Sequence, residues 1–85
     1  MFEYDPNKSQ ANQAKHGLDF EQAQSLWKDP FRLEIKALSD SEPRFMVIGK
    51  LEDKHWSVIV TYRAGNIRII SARRSRIEEV DLYER

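Results

Sequence analysis

The chain has 85 residues, of which 40% are hydrophobic and 33% charged, and its formal net charge is zero. This length suits one compact domain over residues 1–85 with a modest core. The absence of cysteine excludes disulfides and thiolate zinc sites, and two histidines far apart in sequence predict neither a metal site nor a cofactor. No window approaches the roughly 20 apolar residues that span a bilayer, and no basic leader is present, so we expect a cytoplasmic protein without membrane contact.

Two helices are predicted in the first third of the chain. Asp5-Pro6 is a helix start, because the carboxylate can accept from first-turn amides and proline is tolerated at the first helical position. The helix should run to about His16, where Gly17 supplies the positive φ that ends it. Asp19 can cap the second helix. The apolar residues of that helix recur at helical spacing: Phe20, Ala23, Leu26 and Trp27.

Four strands are predicted beyond Pro30, which closes the second helix. Alternating apolar and polar side chains over residues 31–38 are typical of a half-buried strand. Residues 44–51 are apolar on both faces, as in a central strand. Short turns join this strand to residues 55–63 and then to residues 67–73, which predicts an antiparallel meander.

A short helix is predicted after the fourth strand. Ser75 and Glu78 match the capping box, in which the acid three residues on reaches back to the amide of the cap. The predicted order is therefore ααββββα, an α+β fold whose antiparallel sheet packs against two N-terminal helices. Phe20, Trp27 and Trp56 are expected in its core.

Residues 63–77 contain five arginines and no acid, although the whole chain is neutral. Guanidinium groups hold phosphates by paired hydrogen bonds and keep their charge at neutral pH. Such a run beside a strand predicts a surface for a phosphodiester, with RNA as the first candidate substrate.

A combination of short motifs and single residues extends over nearly the full length of the chain: Tyr4-Asp5-Pro6-Asn7-Lys8, Asn12, Lys15-His16-Gly17, Phe20, Ala23, Asp29-Pro30, Arg44, Ile48-Gly49 and Ile67-Arg68-Ile69-Ile70-Ser71-Ala72-Arg73. In this order and spacing they resemble the BrnT toxin family. The resemblance implies a RelE-like ribonuclease toxin of a type II toxin–antitoxin system, which inhibits translation and growth by cutting RNA. It also implies a cognate BrnA-like antitoxin protein, and contact with operator DNA only through the complex of the two proteins.

Metal-free cleavage of RNA needs a base, an acid and a cation that stabilises the charge of the phosphorane. Histidine, with an ordinary pKa near ~6.5, suits proton transfer at neutral pH, and arginine suits the phosphate. The catalytic candidates are His16, Arg63 and Arg73. The two arginines are candidates to border a shared cleft, and Arg73 is the strongest single candidate.

Each of these assignments has an open structural alternative. Lys15-His16-Gly17 is also typical of a plain helix stop with basic residues against the last carbonyls. For Arg73, a salt bridge with Glu78 or Glu79 and the binding of phosphate are about equally favoured. Both roles of Arg73 are compatible at different stages.

The predicted RNA-binding residues are Lys15, Arg44, Arg74 and Tyr83. Arg44 could equally solvate a strand edge, Arg74 adds general electrostatic attraction, and Tyr83 is also typical of a helix-packing residue. Arg68 is expected to pair with a nearby carboxylate, and His55 to be a solvated residue at a strand end.

A second function of a different class remains open. The chain could be a non-catalytic nucleic-acid- or protein-binding module, in which the arginines dock phosphates or an acidic segment of the antitoxin.

Overall fold

The computed structural model describes all 85 residues and has an α+β fold. Its helices are α1 (Pro6–His16), α2 (Phe20–Ala23) and α3 (Ile77–Glu84), and a 3-10 turn over Gln24–Lys28 follows α2 directly. Its strands are β1 (Phe2–Glu3), β2 (Leu33–Ala37), β3 (Arg44–Leu51), β4 (Lys54–Arg63) and β5 (Asn66–Arg74). No helix has the length and apolar character needed to cross a membrane.

The five strands form one mixed sheet in the order β1-β5-β4-β3-β2. The predicted antiparallel meander is confirmed for β2 to β5. The predicted order ααββββα and the purely antiparallel sheet are wrong, because β1 precedes the helices and pairs parallel with β5. Two residues are too few for alternation to reveal a strand, and their pairing with β5 is non-local. The RelE-like fold stays a prediction.

The first helix has the predicted bounds. The Asp5 carboxylate accepts from the amide of Asn7 at 2.8 Å, and Gly17 ends α1 in the left-handed region at φ 81°. Lys15 and His16 therefore occupy the last turn of α1.

The second helix is shorter than predicted. Asp19 caps it as expected, but the α-helix ends at Ala23 and continues as the 3-10 turn to Lys28. This turn lays Leu26 directly over Gly49 of β3, where a Cβ atom would come within 2.9 Å of Leu26 Cγ. The glycine is required because the turn approaches the sheet so closely.

The last helix begins later than predicted, and a different acid serves its first turn. The Glu79 carboxylate, rather than that of Glu78, accepts from the amide of Arg76 at 2.9 Å. Ser75 lies outside the helix and hydrogen-bonds Ser57 of β4 at 2.8 Å. Glu78 is exposed, whereas Glu79 is buried. The capping-box prediction is therefore off by one residue, because Glu79 is the acid that reaches the sheet.

One face of the sheet carries the hydrophobic core and is here called the core face. The α2 helix and the 3-10 turn pack on it, and its cluster includes Phe20, Leu26, Val47, Trp56, Val58, Val60, Ile69 and Ala72. The predicted core positions of Phe20 and Trp56 are confirmed, and Trp27 is half-buried against the cluster.

A β-bulge in β5 interrupts the regular alternation of its side chains. Ile59 pairs with Ser71 and Val60 with Ile69, so that Ile70 has no partner on β4. The extra residue reverses the alternation of side chains along β5. Ile69 and Ala72 consequently both reach the core although they are three residues apart.

Candidate functional site

A shallow cavity of about 290 Å³ lies where the last turns of α1 meet the outer edge of β5. It is lined by Lys8, Ala11, Asn12, Lys15, His16, Phe20, Ile70 and Ser71. The α1 members recur at helical spacing and so share one face of the helix. Three of the lining side chains can carry positive charge and none is acidic, so the cavity suits an anion.

Asn12 holds α1 at this edge. Its Nδ2 donates to the carbonyls of Leu18 at 2.7 Å and Ala72 at 2.8 Å, and its Oδ1 accepts from the amide of Ala72 at 3.2 Å. The buried side chain of Asn12 thus fixes α1 to the part of β5 that extends past the pairing of β5 with β1. Ser9 adds a second tie, because its hydroxyl accepts from the amide of Phe20 at 2.8 Å. The position of His16 beside Ser71 follows from these bonds.

The sequence prediction included His16 and Lys15 but not Lys8, Asn12 or Ser71 as site residues. Lys8, Asn12 and Lys15 are spaced at i, i+4 and i+7, which is the signal that would have placed them on one helix face. Ser71 could not have been found in this way, because its neighbours depend on the position of α1 and on the bulge.

The opposite face of the sheet carries Arg44, Arg63, Arg68 and Arg73 and is here called the arginine face. Three of the four guanidinium groups have a carboxylate partner. Arg63 lies 3.3 Å from Glu42, Arg68 lies 3.6 Å from Glu3, and Arg73 lies 2.8 Å from Glu79. The expectation that Arg68 pairs with a carboxylate is confirmed.

Arg63 and Arg73 do not border one cleft. Arg73 pairs with Ser57 and Arg63 with Asn66, at opposite ends of the β4–β5 ladder. The two positions are six residues apart along β4, which corresponds to roughly 20 Å along the strand. One phosphate cannot contact both guanidinium groups across that distance.

Arg73 and Glu79 form the most complete polar network of the molecule. Two parallel hydrogen bonds of 2.8 Å join the guanidinium to both carboxylate oxygens, and the hydroxyl of Ser57 donates to Glu79 at 2.8 Å. The bonds from Arg73 lower the pKa of Glu79 to about 2, although burial opposes this. The salt bridge foreseen as the alternative for Arg73 is therefore present, while its catalytic role stays a prediction.

Arg44 has no acidic partner. It takes part in no salt bridge, and its Nε is the only buried side-chain nitrogen or oxygen of the chain without a hydrogen-bond partner. Arg44 is the first residue of β3 and pairs with Ala37 of β2.

Tyr83 holds the C-terminal turn of α3 against the sheet. Its hydroxyl donates to Asp29 at 2.6 Å, and the same carboxylate accepts from the amides of Phe31 and Lys50. Burial and the bond to Asp29 raise the pKa of Tyr83 to about 12. The structure thus gives Tyr83 the packing role of the sequence alternative.

His55 and Arg74 lie on opposite faces at the same end of the sheet. His55 is half-buried rather than solvated, because its Nε2 lies 2.7 Å from Glu84 and its ring packs edge-on against Tyr83. Arg74 is exposed, with its guanidinium 5.7 Å from the centroid of the Trp56 ring. No group of three or more His, Asp or Glu side chains is placed to hold a metal ion.

The comparison with family models identifies the chain. No curated protein matches it. The model of the BrnT family, described as a ribonuclease toxin of type II toxin–antitoxin systems, matches residues 4–79. This match includes the α1 cavity, all four residues of the arginine face and Glu79. The chain therefore belongs to the BrnT family of ribonuclease toxins, whose members pair with an antitoxin.

Proposed function

We propose that this chain is a metal-independent endoribonuclease that binds an RNA phosphodiester in the α1 cavity. It acts in the cytoplasm, where RNA cleavage inhibits translation and growth. A BrnA-like antitoxin neutralises it, and operator DNA is contacted only through the toxin–antitoxin complex. Family membership supports the reaction class. The observation that carries the placement is the cavity itself, which joins an imidazole to two lysines without any carboxylate.

The chemistry of metal-free cleavage fits the side chains in the cavity. The ribose 2′-oxygen attacks the adjacent phosphorus and loses its proton, while the 5′-oxygen leaves and gains one, so that a 2′,3′-cyclic phosphate results. His16 is the proton-transfer group, since a positioned imidazole works at neutral pH. Lys8 and Lys15 stabilise the additional negative charge on the phosphorane.

The absence of acids from the cavity wall makes this placement more favourable than one at Arg63 or Arg73. A phosphate approaching either arginine meets a carboxylate already bound there, Glu42 or Glu79. The repulsion between the phosphate and this carboxylate opposes binding. We infer that Lys15 and Arg74 attract RNA to the edge of the sheet, with Arg74 contributing only general electrostatic attraction.

The proposal is tested by RNA cleavage with the purified chain, freed from its antitoxin, in excess EDTA. We expect turnover under these conditions, and we expect His16→Gln to lower the rate by about 10²- to 10⁴-fold. His55→Gln is the matched control, because it removes the other imidazole, which lies beneath α3. Circular dichroism verifies that both variants are folded.

Two results would overturn the proposal. Absence of cleavage by the folded wild-type chain would favour the non-catalytic binding module. Equal loss of activity in the two histidine variants would remove His16 from the site.

A further inference from the structure

The arginine face has an apolar centre that no element of the chain covers completely. Ile35, Met46 and Ile59 lie side by side on β2, β3 and β4, and all three are half-buried. The α3 helix packs over the rows on one side of it, where Glu79 hydrogen-bonds the buried Ser57 and Tyr83 packs against His55. A half-buried apolar row thus lies beside the short C-terminal helix.

Arg44 lies on the same face in the neighbouring row, two residues before Met46 on β3. It is the only arginine of the face without a carboxylate, and its buried Nε lacks any hydrogen-bond partner. The Arg44 guanidinium thus has no acidic partner within the chain, and a carboxylate of another protein would supply one. The combination is an apolar strip, formed by Ile35, Met46 and Ile59, with one unpaired arginine beside it.

We infer that this surface is the docking site of the antitoxin, through an amphipathic segment whose apolar side chains cover Ile35, Met46 and Ile59 and whose carboxylate pairs with Arg44. The inference rests on the pairing of the toxin with an antitoxin, as in the proposed function, but not on the assignment of His16. The antitoxin would thereby bind beside the RNA cavity, because Ser71 of the cavity pairs with Ile59 of the strip.

The charges of the face favour a polypeptide over RNA as its occupant. Glu3, Glu42 and Glu79 neutralise the other three arginines, so Arg44 is the one arginine of the face without an acid. A nucleic-acid backbone carries a negative charge at every nucleotide and would meet these three carboxylates. The apolar strip has no aromatic side chain on which a base could stack. A polypeptide segment whose aliphatic side chains cover the apolar strip and whose carboxylate pairs with Arg44 matches this surface.

The test measures affinity for the small protein encoded by the reading frame next to the toxin gene, by calorimetry with each toxin variant. We expect Arg44→Ala to weaken binding about 30-fold or more, and Arg44→Glu to weaken it further, because each removes the partner of a desolvated carboxylate. Met46→Gln, which keeps the length of the side chain, should also weaken binding. Lys36→Ala is the matched control, since it removes one exposed charge of the neighbouring strand on the opposite face.

Four outcomes would overturn the inference. Unchanged affinity of both Arg44 variants would remove the docking site from this face, and an equal loss in Lys36→Ala would indicate general electrostatic attraction. Loss of RNA cleavage by Arg44→Glu with unchanged antitoxin affinity would assign the face to RNA. Self-association of the toxin that Arg44→Glu abolishes, with unchanged antitoxin affinity, would assign it to a second copy. The affinity measurements do not depend on the activity of His16, so the two proposals fail separately.

Discussion

The two cationic regions of this protein differ in what anchors them. In the α1 cavity the anchor is the neutral amide of Asn12, and no carboxylate lies among the lining side chains. On the arginine face the anchors are acids, and three of four guanidinium groups are already neutralised. The α1 cavity has fewer cationic side chains than the arginine face, but more of them are free to bind an anion.

This difference shows that the density of cations along a chain is a poor guide to the binding of phosphate. Glu3 and Glu42 lie far in sequence from the arginines that they contact, and the fold brings them together. What matters for an incoming anion is the net charge within a few ångströms, since water and salt screen more distant charges.

The largest expected effect on stability comes from Arg73→Ala. It leaves the Glu79 carboxylate, whose side chain is only 12% exposed, without its bidentate partner. We expect the free energy of unfolding to fall by about 3 kcal/mol, measured by urea denaturation at pH 7. Arg76→Ala, at an exposed position, is the control and should change it little.

The same variants test the predicted catalytic role of Arg73. Cleavage is measured at a temperature at which Arg73→Ala remains folded. A rate equal to that of Arg76→Ala would make Arg73 purely structural. A lower rate would show that the arginine face also takes part in catalysis, and the two regions would then not differ in function as proposed.

Asn12→Ala should have the next largest effect, because it removes the anchor of the cavity. The variant leaves buried backbone groups of Leu18 and Ala72 unpaired, which costs about 2 kcal/mol. Cleavage should fall together with stability, since His16 loses its position against β5. Gln13→Ala, on the exposed side of the same helix, is the matched control. Wild-type activity in a destabilised Asn12→Ala would separate His16 from the site.

Lys15→Ala should lower RNA cleavage by about tenfold and make it less dependent on salt, because one phosphate contact is lost. Lys28→Ala removes the same charge from an exposed position outside the cavity and should leave both quantities unchanged. Cleavage as a function of potassium chloride concentration is the measurement. Identical salt slopes for Lys15→Ala and the wild type would contradict a phosphate contact at Lys15.

The last expected effect concerns stability in acid. The pKa of Glu79 is about 2, below its ordinary value of 4.5, so its contribution to stability is present above about pH 5 and is lost as the pH falls toward 2. Urea denaturation at pH 7, 5 and 3 should show this decline in the wild type. Glu79→Gln should show a shallower decline, and parallel curves would exclude Glu79 as the source.

Local patterns in the sequence were sufficient for most of the fold. The caps at Asp5 and Asp19, the left-handed Gly17 and the three hairpin-connected strand pairs depend on residues close together in the chain. The strand β1, the bulge at Ile70 and the acid that serves α3 depend on distant partners. No periodicity of side chains records such contacts.

The sequence by itself determined the family, the α1 helix that ends in Lys15 and His16, and the meander that carries the arginines. Only the tertiary structure decided which of these cations is free. Arg73 is neutralised because Glu79 turns inward to the sheet, and Arg44 stays unpaired because no acid reaches it. Ion pairing depends on distances in space, and these arise only when the sheet and its helices are packed together.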